Sequence, residues 1–218
     1  MPEMSQPKPG LRERKKQQTR QLIADAARRL FAKRGFDAVT VAEVAAAADV
    51  SEATVFNYFP TKEDLFYSGL ESFEEELLSA IRERKPGESV LAAFRRFVLE
   101  PRGLLAAKDP AAGDRLAAIT RVISESPALL SREQQIFAGY TDSLASLLAE
   151  EGGAKPGDLE PWVVANALMG VHRALVRFAR SQIVAGKRNP RLAREGRAQG
   201  ERALAALESG LGKYAIRR

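Results

Sequence analysis

The side chains of this sequence that could do chemistry are of the hydrogen-bonding kind, and the densest group lies between Thr40 and Lys62. Thr40-Val41-Ala42-Glu43 has the spacing of a capping box, in which the threonine oxygen takes an amide of the first helical turn and the glutamate reaches back. Ser51 caps a second short segment, where Val55 and Phe59 face a core while Glu52, Ala53, Thr54, Asn57 and Tyr58 stay toward solvent. Between the two, Asp49 stands where the chain must turn sharply, and aspartate tolerates a left-handed backbone better than most residues. Pro60 ends the second segment, and Thr61 caps a long helix that carries Leu65 and Phe66 inward. A short exposed face that is polar, and uncharged apart from Glu52, suits a DNA major groove. Three consecutive helices of an ordinary bundle would show the same spacing, and geometry alone does not choose between the two.

Bond-making chemistry has little to draw on. There is no cysteine, and His172 is the only histidine. No glycine-rich phosphate loop occurs, nor a histidine and carboxylate at ligand spacing, so a small helical enzyme is the weakest reading and neither metal nor cofactor is expected. A lone histidine in an apolar helix reads first as a core or interface residue.

Nearly every segment has helical spacing, so the fold expected is all-α, with about nine helices. The breaks fall at Gly35, Asp49, Pro60, 85–87, 101–103, 109–110, Pro127, 152–157 and 189–190. The first helix runs from about Arg12 to Arg34. Its buried stripe is drawn from Leu22, Ala26 and Leu30 together with Ile23, Ala27 and Phe31, and Gly35 stops it. Residues 1–10, with three prolines, are expected to be a disordered tail. No apolar run reaches membrane-spanning length and the N-terminus lacks a signal-peptide pattern, so a cytoplasmic protein without a membrane partner is expected.

The net charge of +6 raises the prior for a polyanionic partner, and its distribution sharpens it. From Lys8 to Arg34 ten basic residues face only Glu13 and Asp25. The middle of the chain is mildly acidic, and the sequence from Arg173 onward is basic again. A nonspecific nucleic-acid binder using those basic ends is one alternative.

From Thr19 to Leu65 the sequence resembles the tetracycline-repressor (TetR) family of bacterial one-component regulators. The matching residues are Arg20, Ala26-Ala27, Leu30-Phe31, Gly35-Phe36, Thr40-Val41, Val44-Ala45, Ala48, Val50-Ser51, Thr54, the run Phe56 to Glu63, and Leu65. The resemblance implies an N-terminal three-helix helix-turn-helix DNA-binding domain over 11–67 and a larger C-terminal helical ligand-binding and dimerisation domain over 68–218. It implies that Thr40 meets a phosphate, that Thr54, Asn57, Glu52 and Ala53 approach base edges, and that Tyr58 and Lys62 grip phosphates. Arg20 and the basic stretch before it would lie on the backbone or in a minor groove. Phe56 replaces the family's usual tyrosine and Asp49 its usual glycine, and Ala42 is small where some members carry a base-reading side chain.

Beyond Tyr67 the resemblance is one of architecture. The family's second domain dimerises and often encloses a small-molecule pocket, for which Phe94, Phe97, Ile119, Ile123, Phe137, Tyr140, Met169, His172 and Arg173 are the candidates here. Each reads first as simple core and only second as ligand lining. Arg173, Arg177 and Arg180 form either a solvated face or an anion-binding wall. Trp162, Ala165 and Val176, with Leu204, Leu207 and Leu211, are the expected dimer seam. Gly196 and Gly200 imply either a close helix approach or a frayed end. The function implied is a ligand-responsive repressor, homodimeric on a palindromic operator, with double-stranded DNA, itself and a small effector as partners. A DNA-binding regulator without a small-molecule ligand remains the alternative.

Overall fold

A computed structural model describes residues 10–68, 71–107, 109, 111–187 and 190–211. All regular structure among them is helical, and the chain divides into two compact units, within 1–69 and 70–218. Apart from Gly10, the tail expected to be disordered lies outside the described residues.

The first unit holds α1 (Leu11–Arg34), α2 (Val41–Ala47), α3 (Glu52–Tyr58) and α4 (Lys62–Phe66). Gly35 ends α1 at φ 81°, a backbone that side-chain-bearing residues rarely adopt, while its N–H still donates to Phe31 O at 2.9 Å. The α1 face that meets α2 and α4 buries Ile23, Ala26, Ala27 and Phe31. Phe31, Phe36 and Phe66 then form a ring triangle with centroids 5.2–5.9 Å apart. Val39, Val44, Val55, Phe59 and Leu65 complete this core. Leu22, expected in the buried stripe, is instead 59% exposed. It sits about 100° around the helix from Ile23, beyond the arc that α2 and α4 cover. Leu30 is only half-buried.

The second unit holds α5 (Glu71–Arg82), α6 (Val90–Val98), α7 (Gly103–Ala106), α8 (Ala112–Glu125), α9 (Pro127–Gly152), α10 (Glu160–Val184) and α11 (Arg191–Leu211). The long pair α9 and α10 is its spine, and α11 packs on α10 and α6. Leu77, Ile81, Phe94, Leu144, Leu148, Leu168, Met169 and Leu204 are buried at its centre. Local chemistry fixes the ends. Ser126 accepts from Leu129 N ahead of Pro127, Ser89 accepts from Ala92 N at 3.2 Å, and Gly153 takes the left-handed conformation that closes α9. Arg84, 4% exposed, pairs with Glu151 at 2.6 Å and so ties the end of α5 to the end of α9.

Eleven helices stand among the described residues where about nine were expected. The long helix expected from Thr61 closes after five residues, with Tyr67 N–H donating to Glu63 O, and α5 begins separately at Glu71. The single turn α7 lies between the breaks near Pro101 and Pro110, too short to display a helical period in sequence. Gly200 is buried at a close approach: a Cβ there would run into the Leu99 side chain and lie 3.3 Å from Leu175. Gly196 has nothing within 4 Å of such an atom, so the close approach belongs to Gly200 alone.

Candidate nucleic-acid interface

α2, the turn after it, and α3 are held by local contacts. Thr40 accepts from Glu43 N at 3.2 Å while Thr40 N donates to Glu43 Oε2 at 2.8 Å, the capping box expected from sequence. Arg34 adds an ion pair to Glu43 at 2.6 Å and donates to Ala38 O, bracing the loop between α1 and α2. The Thr40 amide, and then the Arg34 guanidinium, hold the Glu43 carboxyl down at about 2. It is a fixed negative charge at neutral pH. Asp49 turns the chain with φ +55°, and Val50 N–H closes the turn on Ala45 O at 3.0 Å.

In α3 the Ser51 hydroxyl accepts from Thr54 N at 3.1 Å and meets the Thr54 hydroxyl at 2.8 Å. Val55 and the following Phe59 are buried behind the helix. Glu52, Ala53, Phe56 and Asn57 are exposed and share an arc of about 140°. Thr54 and Tyr58 are half-buried at its flank. Of the expected base-edge residues, Glu52, Ala53 and Asn57 therefore lie on one open strip, while Thr54 turns its hydroxyl to the cap. Phe56, absent from the residues expected toward solvent, is 47% exposed in the middle of that strip. Its position one turn after Glu52 was the signal that it belongs there.

Two expected phosphate contacts have intramolecular work. Lys62 Nζ donates to Phe36 O at 2.9 Å and Val39 O at 3.0 Å, and lies 4.1 Å from the Phe36 ring centroid. It clamps the start of α4 to the loop before α2. The Arg20 guanidinium lies over the Phe59 ring at 4.8 Å, just past the end of α3. The Thr40 hydroxyl is likewise engaged, donating to Glu43 Oε2 at 3.1 Å.

In the second unit, the ligand candidates Phe97, Tyr140 and His172 gather around Phe73, which was not among the candidates, and Phe137 joins them through Tyr140 and His172. The His172 ring stacks on Phe73 at 4.6 Å and meets Phe137 edge-on at 5.3 Å. Burial, and then the charge of Arg173, push His172 down to about 4, so the ring is neutral at pH 7. Phe73 precedes Leu77 and Ile81 at four-residue spacing, the pattern that would have revealed it among its glutamates. Phe94 and Met169 are fully buried in the same core, and Ile123 is buried outside it. Ile119 is 41% exposed, on the outer side of α8, and lines no interior. Arg173 is half-buried, while Arg180 is taken by Glu133 at 2.6 Å, which removes it from an anion-binding wall.

The seam candidates divide. Ala165 and Leu204 are fully buried in the chain's own core, where they hold α10 and α11 in place, and so cannot present a surface to a second copy. Val176 and Leu207 pack against that core from partly buried positions, and Trp162 is 53% exposed. The side chain of Leu211 lies outside the described residues. One side of α10 carries exposed Val163 and Ala174 with half-buried Ala167 and Gly170 between them, spaced four, three and four.

Comparison with known proteins bears on both units. Residues 23–68 match the family described as "Bacterial regulatory proteins, tetR family", and residues 88–185 match the MftR C-terminal domain. The HTH-type transcriptional regulator TcmR of Streptomyces glaucescens is 30% identical over 175 residues, covering 78% of this chain and 76% of that one. The putative mycofactocin biosynthesis transcriptional regulator MftR of Mycobacterium tuberculosis is 28% identical over 165 residues, 72% of this chain and 78% of its own. Among solved structures, the SmeT–triclosan complex shares the fold with a TM-score of 0.55 at 18% identity, over 87% of this chain and 91% of that one. The helix-turn-helix geometry, the family match that spans it and the identity to TcmR agree, and the chain belongs to the TetR family of DNA-binding transcriptional regulators.

Proposed function

We propose that the chain is a homodimeric repressor that occupies a palindromic operator until a small effector enters its second unit. Residues 11–67 would be the DNA-binding domain and 68–218 the regulatory and dimerisation domain, acting in the cytoplasm on chromosomal DNA. The observation that carries this reading is the exposed strip of α3, Glu52, Ala53, Phe56 and Asn57, backed by buried Val55 and Phe59. Asn57 is the base reader, since its amide can pair bidentately with adenine. Glu52 accepts from cytosine, Ala53 and Phe56 offer apolar contact to thymine methyls, and Tyr58 reaches a phosphate. Thr40, Thr54, Lys62 and Arg20 serve mainly by holding the reader in place.

One seven-residue helix reads too few base pairs for a genome, and a twofold pair doubles the reading. The side of α10 that carries exposed Val163 and Ala174 around half-buried Ala167 and Gly170, with exposed Trp162 beside it, supports pairing with a second copy. The aromatic group around Phe73 is the candidate effector wall, and the triclosan complex of SmeT supports a small-molecule role for this fold. Effector occupancy would change the separation of the two recognition helices, and a preference of a few kcal/mol for one spacing suffices to empty the operator.

Fluorescence anisotropy against the chain's own upstream intergenic DNA, with scrambled duplex as control, tests the reading. Selective binding is expected, and Asn57→Ala should lose about 1–3 kcal/mol of discrimination, roughly 5- to 150-fold. Equal affinity for both duplexes, or a chain that stays monomeric on DNA, would sink it.

A further inference from the structure

We propose that the cleft between α5 and α6 is a binding site for a small planar organic cation, held closed by the chain's own Arg102. The proposal rests on the effector reading above, whose ligand class it names. The cleft measures about 520 Å³ and is walled by Glu75, Glu76, Glu83 and Glu100 around Phe97 and Ala80. That volume lies inside the range of roughly 300–1,000 Å³ in which small-molecule sites fall. Arg96 and Arg102 also line it, but Arg96 is engaged by Glu88 at 3.3 Å. Among the described residues of the lining, four carboxylates therefore stand against the guanidinium of Arg102.

The niche already holds a cation of this kind, supplied by the chain itself. The Arg102 guanidinium lies 3.8 Å from the Phe97 ring centroid and donates to the backbone oxygens of Phe97 and Glu100. An aromatic face, two carbonyls and two carboxylates together select a flat, delocalised cation over a neutral molecule. On the acid side the fit is loose. Arg102 reaches Glu76 at 3.4 Å and Glu100 at 3.5 Å, beyond ordinary N–H···O distances, and its side chain stays 33% exposed. Ion pairs of that kind are weak in water and yield to a competitor. Arg102 also stands at the start of α7, a single turn that has no side-chain cap and buries no residue. Its guanidinium ties that start to α5 and α6, so a cation that takes its place on Phe97 loosens α7. Phe97 meets Phe73 at 5.3 Å, and a change over its ring is therefore felt directly by the aromatic group of the second unit.

Calorimetric titration of the full chain with benzamidine, against neutral benzamide of the same shape, tests the site. Arg102 competes with the probe, so R102A, which empties the niche, should bind benzamidine about tenfold more tightly than the wild type. Adding E76Q/E100Q to R102A should weaken that binding about tenfold, and both positions are exposed, so folding is not at issue. In the wild type, benzamidine should speed hydrogen exchange of the 102–107 amides, the reverse of the protection that a ligand ordinarily gives. R102A should exchange fast there without any probe. No binding by R102A, equal binding by R102A and wild type, equal binding of benzamide, or an affinity unmoved by E76Q/E100Q would overturn the site. Operator affinity, read in the same samples, should fall at saturating benzamidine, and an operator affinity unmoved by bound benzamidine would overturn the effector assignment. Cation binding by a chain without selective DNA binding would keep the site and remove the repressor reading. Selective operator binding without cation binding would remove the site and leave the repressor reading standing.

Discussion

His172 should make the folded chain lose stability between pH 7.5 and pH 5, and the size of the loss follows from its surroundings. The ring lies against Phe73 and Phe137 with the Arg173 charge beside it, and burial leads in pushing it from 6.5 down to about 4. The folded state therefore holds the neutral ring while the unfolded chain takes up a proton from about pH 6.5 downward. Stability from this group is fully present above 6.5, falls as the pH drops, and levels off near 4. With those two values the loss between pH 7.5 and 5 is about 2 kcal/mol. Glu43, the one carboxyl brought down to about 2, titrates below this window, and Asp25, Glu88, Asp109 and Glu195 are also lowered. Since the chain has a single histidine, an imidazole NMR titration of untagged protein reports His172 alone. The midpoint should lie near 4, and urea unfolding at the two pH values should show the deficit. His172→Phe keeps a ring against Phe73 and should flatten the difference. An imidazole midpoint near 6.5, or a pH deficit that persists in the phenylalanine variant, would refute the reasoning.

Thr40→Ala removes the side-chain half of the capping box and should cost about 1 kcal/mol in urea unfolding, while Thr40→Ser, which keeps the oxygen, should cost little. Glu43→Gln should weaken the acid sensitivity of unfolding between pH 4.5 and 2, because the native carboxylate stabilises above its unfolded value and that gain is lost as pH falls through about 2. Asp49→Gly should raise the free energy of unfolding by up to about 1 kcal/mol, since φ +55° is strained for aspartate and ordinary for glycine, whereas Asp49→Val should lower it. Gly196→Ala should stabilise by about 0.5–1 kcal/mol, and Gly200→Ala should fall at least 1 kcal/mol below it, because the new methyl meets Leu99.

What the sequence made legible was local. Capping at Thr40, Ser51 and Thr61, the stop at Gly35 and the turn at Asp49 all depend on neighbours within four residues, so spacing alone locates them. The family resemblance located the helix-turn-helix for the same reason. Features set by distant chain were not legible. Leu22 and Ile23 are equally apolar, and only the position of α2 and α4 decides which is covered. Periodicity also cannot say whose core a stripe enters. Ala165 and Leu204 have the spacing of a dimer seam and serve the chain's own interior, while the side of α10 with exposed Val163 and Ala174 is otherwise made of the small, half-buried Ala167 and Gly170, which carry little hydrophobic signal. Phe73 was hidden by the glutamates around it, although its ring is the centre of the aromatic group.

The hydrogen-bond inventory of the first unit narrows where specificity can reside. The hydroxyls of Thr40, Ser51, Thr54 and Thr61 are all engaged in holding helix starts, and the Lys62 ammonium is tied to two backbone carbonyls. Recruiting any of them to DNA means giving up a contact that keeps α2, α3 or α4 in place, at about 1 kcal/mol for each cap. The side chains of α3 that incur no such loss are those of the open strip, and among them Asn57 alone is both donor and acceptor. Phe56 beside it has no polar atom to desolvate, so apolar contact there is gained without a competing hydrogen bond. A reader built this way is stiff, with its selectivity concentrated in two or three side chains. Substitutions along Glu52, Phe56 and Asn57 should therefore change which operator is bound, while substitutions at the caps should change how much folded reader is available to bind it.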